Sequence, residues 1–196
     1  MIKREDILAE HLDLAPAVKD TFIERWGNEA IRFELKKAID HEIFYFKLEK
    51  ELKSDNELEG RWLNIYNPYE YLWNGEKYRH EGLKLALVYW TYSRYIEQGN
   101  LASTPFGMII KVSESSQQAS LEQINFNKSK YLKQGYEVFS EVKKYMERDD
   151  DFQDYRFRRD WEKDDRDLSI GVINYRTRKN KEYPSWGDLY RQQRNY

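Results

Sequence analysis

Carboxylates are the most concentrated reactive groups in this sequence. Asp149, Asp150, Asp151 and Asp154 are followed by Asp164, Asp165 and Asp167, a density that could gather a divalent cation. The run lacks the glycine and the alternating oxygen ligands of a calcium loop, and Arg156, Arg158, Arg159 and Arg166 interleave with it. A solvated or self-paired charge run is therefore expected, with an acidic metal site as the enzymatic alternative. His11, His41 and His80 lie far apart, and His41-Glu42 lacks the second histidine that would put two zinc ligands on one helical face. Each histidine is expected to be satisfied or exposed. Neither GxxxxGK[ST] nor GxGxxG occurs among the scattered glycines, so no phosphate-cradling loop is legible. The serines of "SESSQQAS" have no nearby histidine or nucleophile-elbow glycines, and Ser120 or a neighbour is expected to cap the following helix instead. With no cysteine, disulfides, thiolate zinc sites and cysteine nucleophiles are excluded. The expectation is a protein that is not an enzyme, with no catalytic residue, no cofactor and no metal.

One stretch carries the signature of a nucleic-acid grip. In "NYRTRKNKEYPSW" basic and aromatic residues alternate, the combination that holds single strands by phosphate charge and base stacking. The competing reading is a basic tail docked on an acidic protein surface. It is favoured because Asp149 to Asp167 holds nine acidic and five basic residues, whereas Leu168 to Tyr196 holds six basic and two acidic. Across the chain 33 Lys and Arg nearly balance 35 Asp and Glu, so no global charge calls for nucleic acid or an anionic membrane. Tyr, Trp and Phe make up 16%, which is ample rigid contact area for interfaces as well as for a core. The N-terminal "MIKREDILAEHLDL" has no apolar core of the kind a secretory signal needs, and no segment approaches 18 consecutive apolar residues. A soluble protein made in the cytoplasm is expected.

The elements that would position these groups are mostly helical. Arg4 to about Leu14 reads as a short amphipathic helix, and Pro16 suits the first turn of a second one that ends at Gly27-Asn28. Glu29 to about Lys53 reads as one helix, with Ile31, Leu35, Ala38, Ile39, Ile43 and Phe46 on its core face. "WLNIYNPYEYLWNG" reads as an irregular aromatic segment closing on an Asn-Gly turn. Within Tyr78 to Gln98 apolar residues surround nearly the whole helix, which should be central and buried on several sides. From Leu121 to Met146 apolar steps of three and four give the face of a bundle helix. Between these two helices "TPFGMIIKV" alternates as a strand, with Phe106, Met108, Ile110 and Val112 on one face and no obvious partner. The fold class is mainly α: a bundle of about four to five helices, an extended strand-like arm between the last two long helices, and an irregular C-terminal tail. Residues 1–148 form the helical domain and 149–196 a charged, aromatic extension, in which "LSIGVINYR" could be a strand and "YPSWGDLY" a turn.

The order "EGLKLALVYWTYSRYIEQGN", "TPFGMIIKVSESS", "ASLEQINFNKSKYLKQGYEVFSEVKKYM", preceded by a long helix and the aromatic segment, resembles a head-to-tail connector, or adaptor, of tailed bacteriophages, in particular those of gut Bacteroidota. The resemblance covers about Met1 to Met146. It implies a helical subunit of a virion ring, commonly of twelve copies, that sits beneath the portal protein, meets neighbouring neck or tail ring proteins, and passes DNA through its lumen without sequence-specific binding. Such a subunit would occupy the host cytoplasm only during assembly, and no membrane is implied. A ring subunit needs two different sides that fit each other. The candidate subunit-interface residues are Phe106, Met108, Ile110 and Val112 on the arm, and Phe152, Tyr155, Phe157, Trp161, Tyr175 and Trp186 along the extension. The arm is expected either to fold over its own helices or to pair with an edge on another chain. A nucleic-acid-binding protein that uses Tyr175 to Tyr196 is the runner-up.

Overall fold

A computed structural model describes residues 2–54, 57–99, 101–104, 107–110 and 120–156, with backbone alone between 101 and 110. Phe106, Val112, Phe157, Trp161, Tyr175, Trp186, the "LSIGVINYR" strand and the "YPSWGDLY" turn lie outside the described residues, as do the side chains of Met108 and Ile110. The chain divides into a compact unit, Met1–Arg158, and a second, Arg159–Tyr196.

The described part is mainly helical. Its α-helices are α1 (Arg4–Ala9), α2 (Asp20–Glu29), α3 (Lys36–Ile39), α4 (Glu42–Leu52), α5 (Gly60–Tyr66), α6 (Leu83–Gln98) and α7 (Leu121–Arg148). A π-helical stretch, Ala30–Leu35, joins α2 to α3 without a break. Gly27-Asn28 therefore does not stop the helix as expected. Burial of Ile23, Trp26, Ala30 and Ile31 along the same face outweighs the weak helix propensity of one glycine.

The single helix expected from Glu29 to Lys53 is broken at Asp40, which adopts a left-handed conformation at φ 50° and ψ 34°. His41 restarts it, its Nδ1 accepting a hydrogen bond from the Phe44 amide at 3.2 Å. The break rotates the second half. Phe44, Tyr45, Leu48 and Leu52 turn inward, and Ile43 and Phe46, expected in the core, are each 51% exposed.

The aromatic segment is not irregular. It holds α5 and an antiparallel hairpin of β1 (Tyr69–Trp73) and β2 (Glu76–His80). Asn74 and Gly75 turn it, both at positive φ (52° and 81°), as a two-residue hairpin that follows the strand twist requires. Gly82 at φ 85° then opens α6, and a Cβ there would lie 2.6 Å from the Tyr66 carbonyl oxygen, so no other residue fits.

α6 is central. Leu83, Ala86, Leu87, Val88, Trp90, Thr91, Tyr92 and Ser93 are all buried. α7 packs along it most closely where Gly135 meets Trp90, since a Cβ at Gly135 would fall 2.4 Å from the indole nitrogen. Ser120 caps α7 in a reciprocal box, its hydroxyl accepting from the Gln123 amide at 3.1 Å while the Gln123 side chain accepts from the Ser120 amide at 3.0 Å.

Between α6 and α7 the strand read as unpartnered has a partner in its own chain. β4 (Gly107–Ile110) runs antiparallel to β3 (Leu101–Thr104), with Thr104 opposite Gly107 and Leu101 opposite Ile110. Two residues separate the paired ends, the spacing of a tight hairpin.

Candidate functional site

Three places concentrate polar and aromatic side chains. The first is Arg94 on α6, only 15% exposed, which pairs with Glu29 at 2.9 Å and Glu34 at 2.7 Å. These glutamates are five residues apart, a spacing that a straight α-helix would splay. The π-helical stretch, with its i to i+5 bonds, brings them to one side. Gln98 extends the network, donating to Glu29 at 3.2 Å and accepting from the Trp26 indole at 2.9 Å. Every member has a partner, so the network fixes how the α2 segment lies on α6.

The second is an aromatic chamber beneath the β1–β2 hairpin. His80 is fully buried against Tyr145, with ring centroids 4.9 Å apart, and its Nδ1 accepts from the Gly82 amide at 3.1 Å. Burial pushes the imidazole down to about 4, which keeps it neutral. Arg148, at the end of α7, spans Trp73 and Tyr78 at 4.2 and 4.5 Å and donates to the Tyr71 hydroxyl at 3.1 Å. The hairpin is thereby pinned to the last turn of α7.

The third is the segment 149–156, expected to begin a free extension. Phe152 and Tyr155 were expected to anchor another subunit, but they are 0% and 1% exposed inside the chain's own core. Phe152 meets Tyr145 at 5.5 Å and Tyr155 meets Phe44 at 5.0 Å. Asp154 takes both guanidinium nitrogens of Arg61 at 3.0 and 3.2 Å and the Lys47 ammonium at 2.9 Å. Partial burial works to raise the Asp154 carboxyl, but Arg61 and Lys47 outweigh it and hold it below the usual carboxylate range. Asp150 pairs with Arg156 at 2.8 Å. Asp150 and Asp154 are thus occupied by cations, one of them an interleaved arginine, while the Asp149 carboxylate accepts from the Asp151 amide at 2.8 Å. A polar latch and two buried rings fasten the segment to α4 and α5.

The histidines are spread apart as the sequence implied: His41 caps α4, His80 lies in the chamber, and His11 is exposed. Among the described residues no three His, Cys, Asp or Glu side chains are grouped to hold a metal ion. Sequence reading missed Arg61, Lys47, Arg94 and Arg148, whose roles depend on partners 60 to 107 positions away. Only the pairing of Arg156 with the acidic run had a local signal.

Outside these places lie apolar side chains that nothing in the unit covers. Leu121 and Phe126, at the start of α7, are 70% and 69% exposed. That end overhangs α6, which finishes beside Lys128, where Glu97 pairs with the Lys128 ammonium. Ile43 and Phe46 form a second site on the outer face of α4, and Leu8, 48% exposed, a third on α1.

A model of a family of unknown function, DUF6712, matches residues 41–164, from the cap of α4 through the whole α6–hairpin–α7 unit and beyond the latch. No curated protein matches the chain, and no solved structure does.

Proposed function

This chain belongs to DUF6712, a family of unknown function, and we propose that its role is structural: a helical-bundle subunit of a ring in the head-to-tail connector of a tailed phage. The observation that carries the reading is the α6–hairpin–α7 unit. Two packed helices, α6 and α7, flank the β3–β4 hairpin in sequence, and the start of α7 displays Leu121 and Phe126. A two-stranded hairpin is marginal alone, and an exposed apolar helix end adds nothing to a monomer. Both become useful when another subunit covers them.

In this reading the ring, of about twelve copies as the resemblance implies, lies beneath the portal, contacts neighbouring neck or tail rings and lets DNA through without holding it. A balanced formal charge of −2 suits a conduit, because a strongly basic lumen would neutralise phosphates and retain the duplex. Among the described residues no helix is long and apolar enough to cross a membrane.

Mixing the purified protein with the portal of the same virus tests this. Ring-on-portal complexes with little affinity for oligonucleotides are expected. Salt-sensitive oligonucleotide binding that disappears on deleting 168–196 would instead favour the nucleic-acid role. Metal-dependent turnover lost in Asp150→Asn and Asp154→Asn would favour an enzyme.

A further inference from the structure

A closed ring of identical subunits requires two different flanks that complement each other, and the body has two that fit this description. The α1 flank packs on one side of α6: Lys84 pairs with Asp6 at 2.6 Å, the Tyr92 hydroxyl donates to the Asp13 carbonyl at 2.9 Å, and the Ala15 amide donates to the Tyr95 hydroxyl at 3.3 Å. α7 packs on the other, through Trp90 with Phe139 at 5.9 Å and the Ser93 hydroxyl donating to the Lys128 carbonyl at 3.2 Å. α7 also reaches the first row, where its Tyr131 meets Tyr92 edge to face at 4.8 Å. α4 lies beyond α7, reached through Phe44, Phe152 and Tyr145. α1 and α4 thus present two different outer faces, borne by different elements.

Their chemistry is complementary. On the α1 flank, Leu8 is exposed beside Glu5, and Glu10 and Asp13 are exposed with no ion-pair partner among the described residues. On α4, the outward stripe is Ile43, Phe46, Lys47 and Lys50, a row at steps of three and four. Of the acidic residues beside that stripe, Glu42 pairs with Lys36 at 3.7 Å and Glu49 with Lys53 at 2.7 Å, while Glu51 has no ion-pair partner among the described residues. Lys50 is exposed with no ion-pair partner among the described residues. One flank offers a leucine framed by free carboxylates, and the other an isoleucine and a phenylalanine framed by a free ammonium.

We propose that neighbouring copies of this chain meet head to tail through these flanks, Leu8, Glu10 and Asp13 of one against Ile43, Phe46 and Lys50 of the next. The proposal rests on the ring reading and specifies its lateral contact. Opposite charges across such a seam set the register and suppress flank-to-flank pairing of like kind.

The test uses the full-length chain, mixed one to one as light and nitrogen-15 protein, assembled, and coupled with a zero-length carboxyl-to-amine reagent. Lys50 should be joined to Glu10 or Asp13, with about half of those links mixed in isotope. Glu10→Lys with Asp13→Lys should weaken self-association about tenfold or more with an unchanged melting temperature, and adding Lys50→Glu should recover most of it. Rings that form normally in these variants would overturn the flank assignment and leave the ring standing. Links from Lys50 only to carboxylates of its own chain, those of 157–167 included, would also overturn it. A wild-type chain that stays monomeric with and without the portal would remove the ring and the seam together.

Discussion

α6 and α7 pack against each other along most of α6, yet they do different work. α6 has 16 residues, eight of them buried, while α7 has 28 residues with Gly135, Phe139, Val142, Tyr145 and Met146 buried, all in its second half. The apolar stripe of α7 runs through both halves in sequence, with Lys128 at one of its positions. Its second half meets Trp90 and the aromatic chamber, Lys128 and Tyr131 meet Ser93 and Tyr92, and before them Leu121 and Phe126 are exposed, Phe126 on the side away from the stripe. Periodicity shows that a helix has a face to cover, and only packing shows whether the same chain covers it. The second half of α7 holds the fold, Lys128 and Tyr131 still pack on α6, and only the first turns, with Leu121 and Phe126, are surface available to a partner.

That division can be broken from the inside first. Trp90→Ala should cost about 3–5 kcal/mol of unfolding free energy, measured by denaturant melts, because it empties the centre of the α6–α7 contact. A loss under about 1 kcal/mol would mean the contact is not the core. Gly135→Val should cost about 1–3 kcal/mol by overpacking against the indole, with Gly135→Ala showing part of the effect.

His80 sharpens the comparison through pH. Its folded value of about 4 lies below the ordinary histidine value near 6.5, so the unfolded chain binds the proton more readily between the two. Stability from the neutral buried ring should be fully present above about pH 6.5 and fall as pH drops towards 4. His80→Asn, which keeps an acceptor for the Gly82 amide, should flatten the slope in that window. The Asp154 latch acts lower. Its carboxyl is held down, so its contribution is present above the ordinary carboxylate value and lost as pH falls through the depressed one. Because the Asp154 side chain is 33% exposed, Asp154→Asn should cost only about 1 kcal/mol at neutral pH. Increased protease cleavage near residues 149–156 would accompany it.

The smallest change in monomer stability belongs to the overhang. Leu121→Ser with Phe126→Ser should shift it by less than about 0.5 kcal/mol, since both side chains are exposed, while reducing assembly seen by light scattering. A large loss of helicity would place these residues in the fold instead.

Three local signals agreed with the structure, although the Gly27-Asn28 stop did not. Asn74-Gly75 turns a chain, Ser120 with Gln123 caps α7, and apolar residues all round α6 mean burial. The failures share a cause: the deciding interaction lay far away in sequence. Asp40 sits in an unbroken helical pattern, and nothing local announces that it will break the helix and expose Ile43 and Phe46. Phe152 and Tyr155 stand in a charged stretch, and their burial depends on Phe44, Tyr145 and an arginine at position 61. The strand at 107–110 seemed alone because its partner, "LAST", lacks the β-branched, aromatic composition by which strands are recognised. The family match, which continues to residue 164, likewise keeps the latch with the helices rather than with the tail.

Electron microscopy of the purified full-length chain, alone and on the portal, bears most directly on the ring. Closed rings with an open lumen, seen end-on with a fixed rotational symmetry of about twelve, are expected. A uniform monomer in both samples, together with its absence from the virus particle, would contradict the connector role.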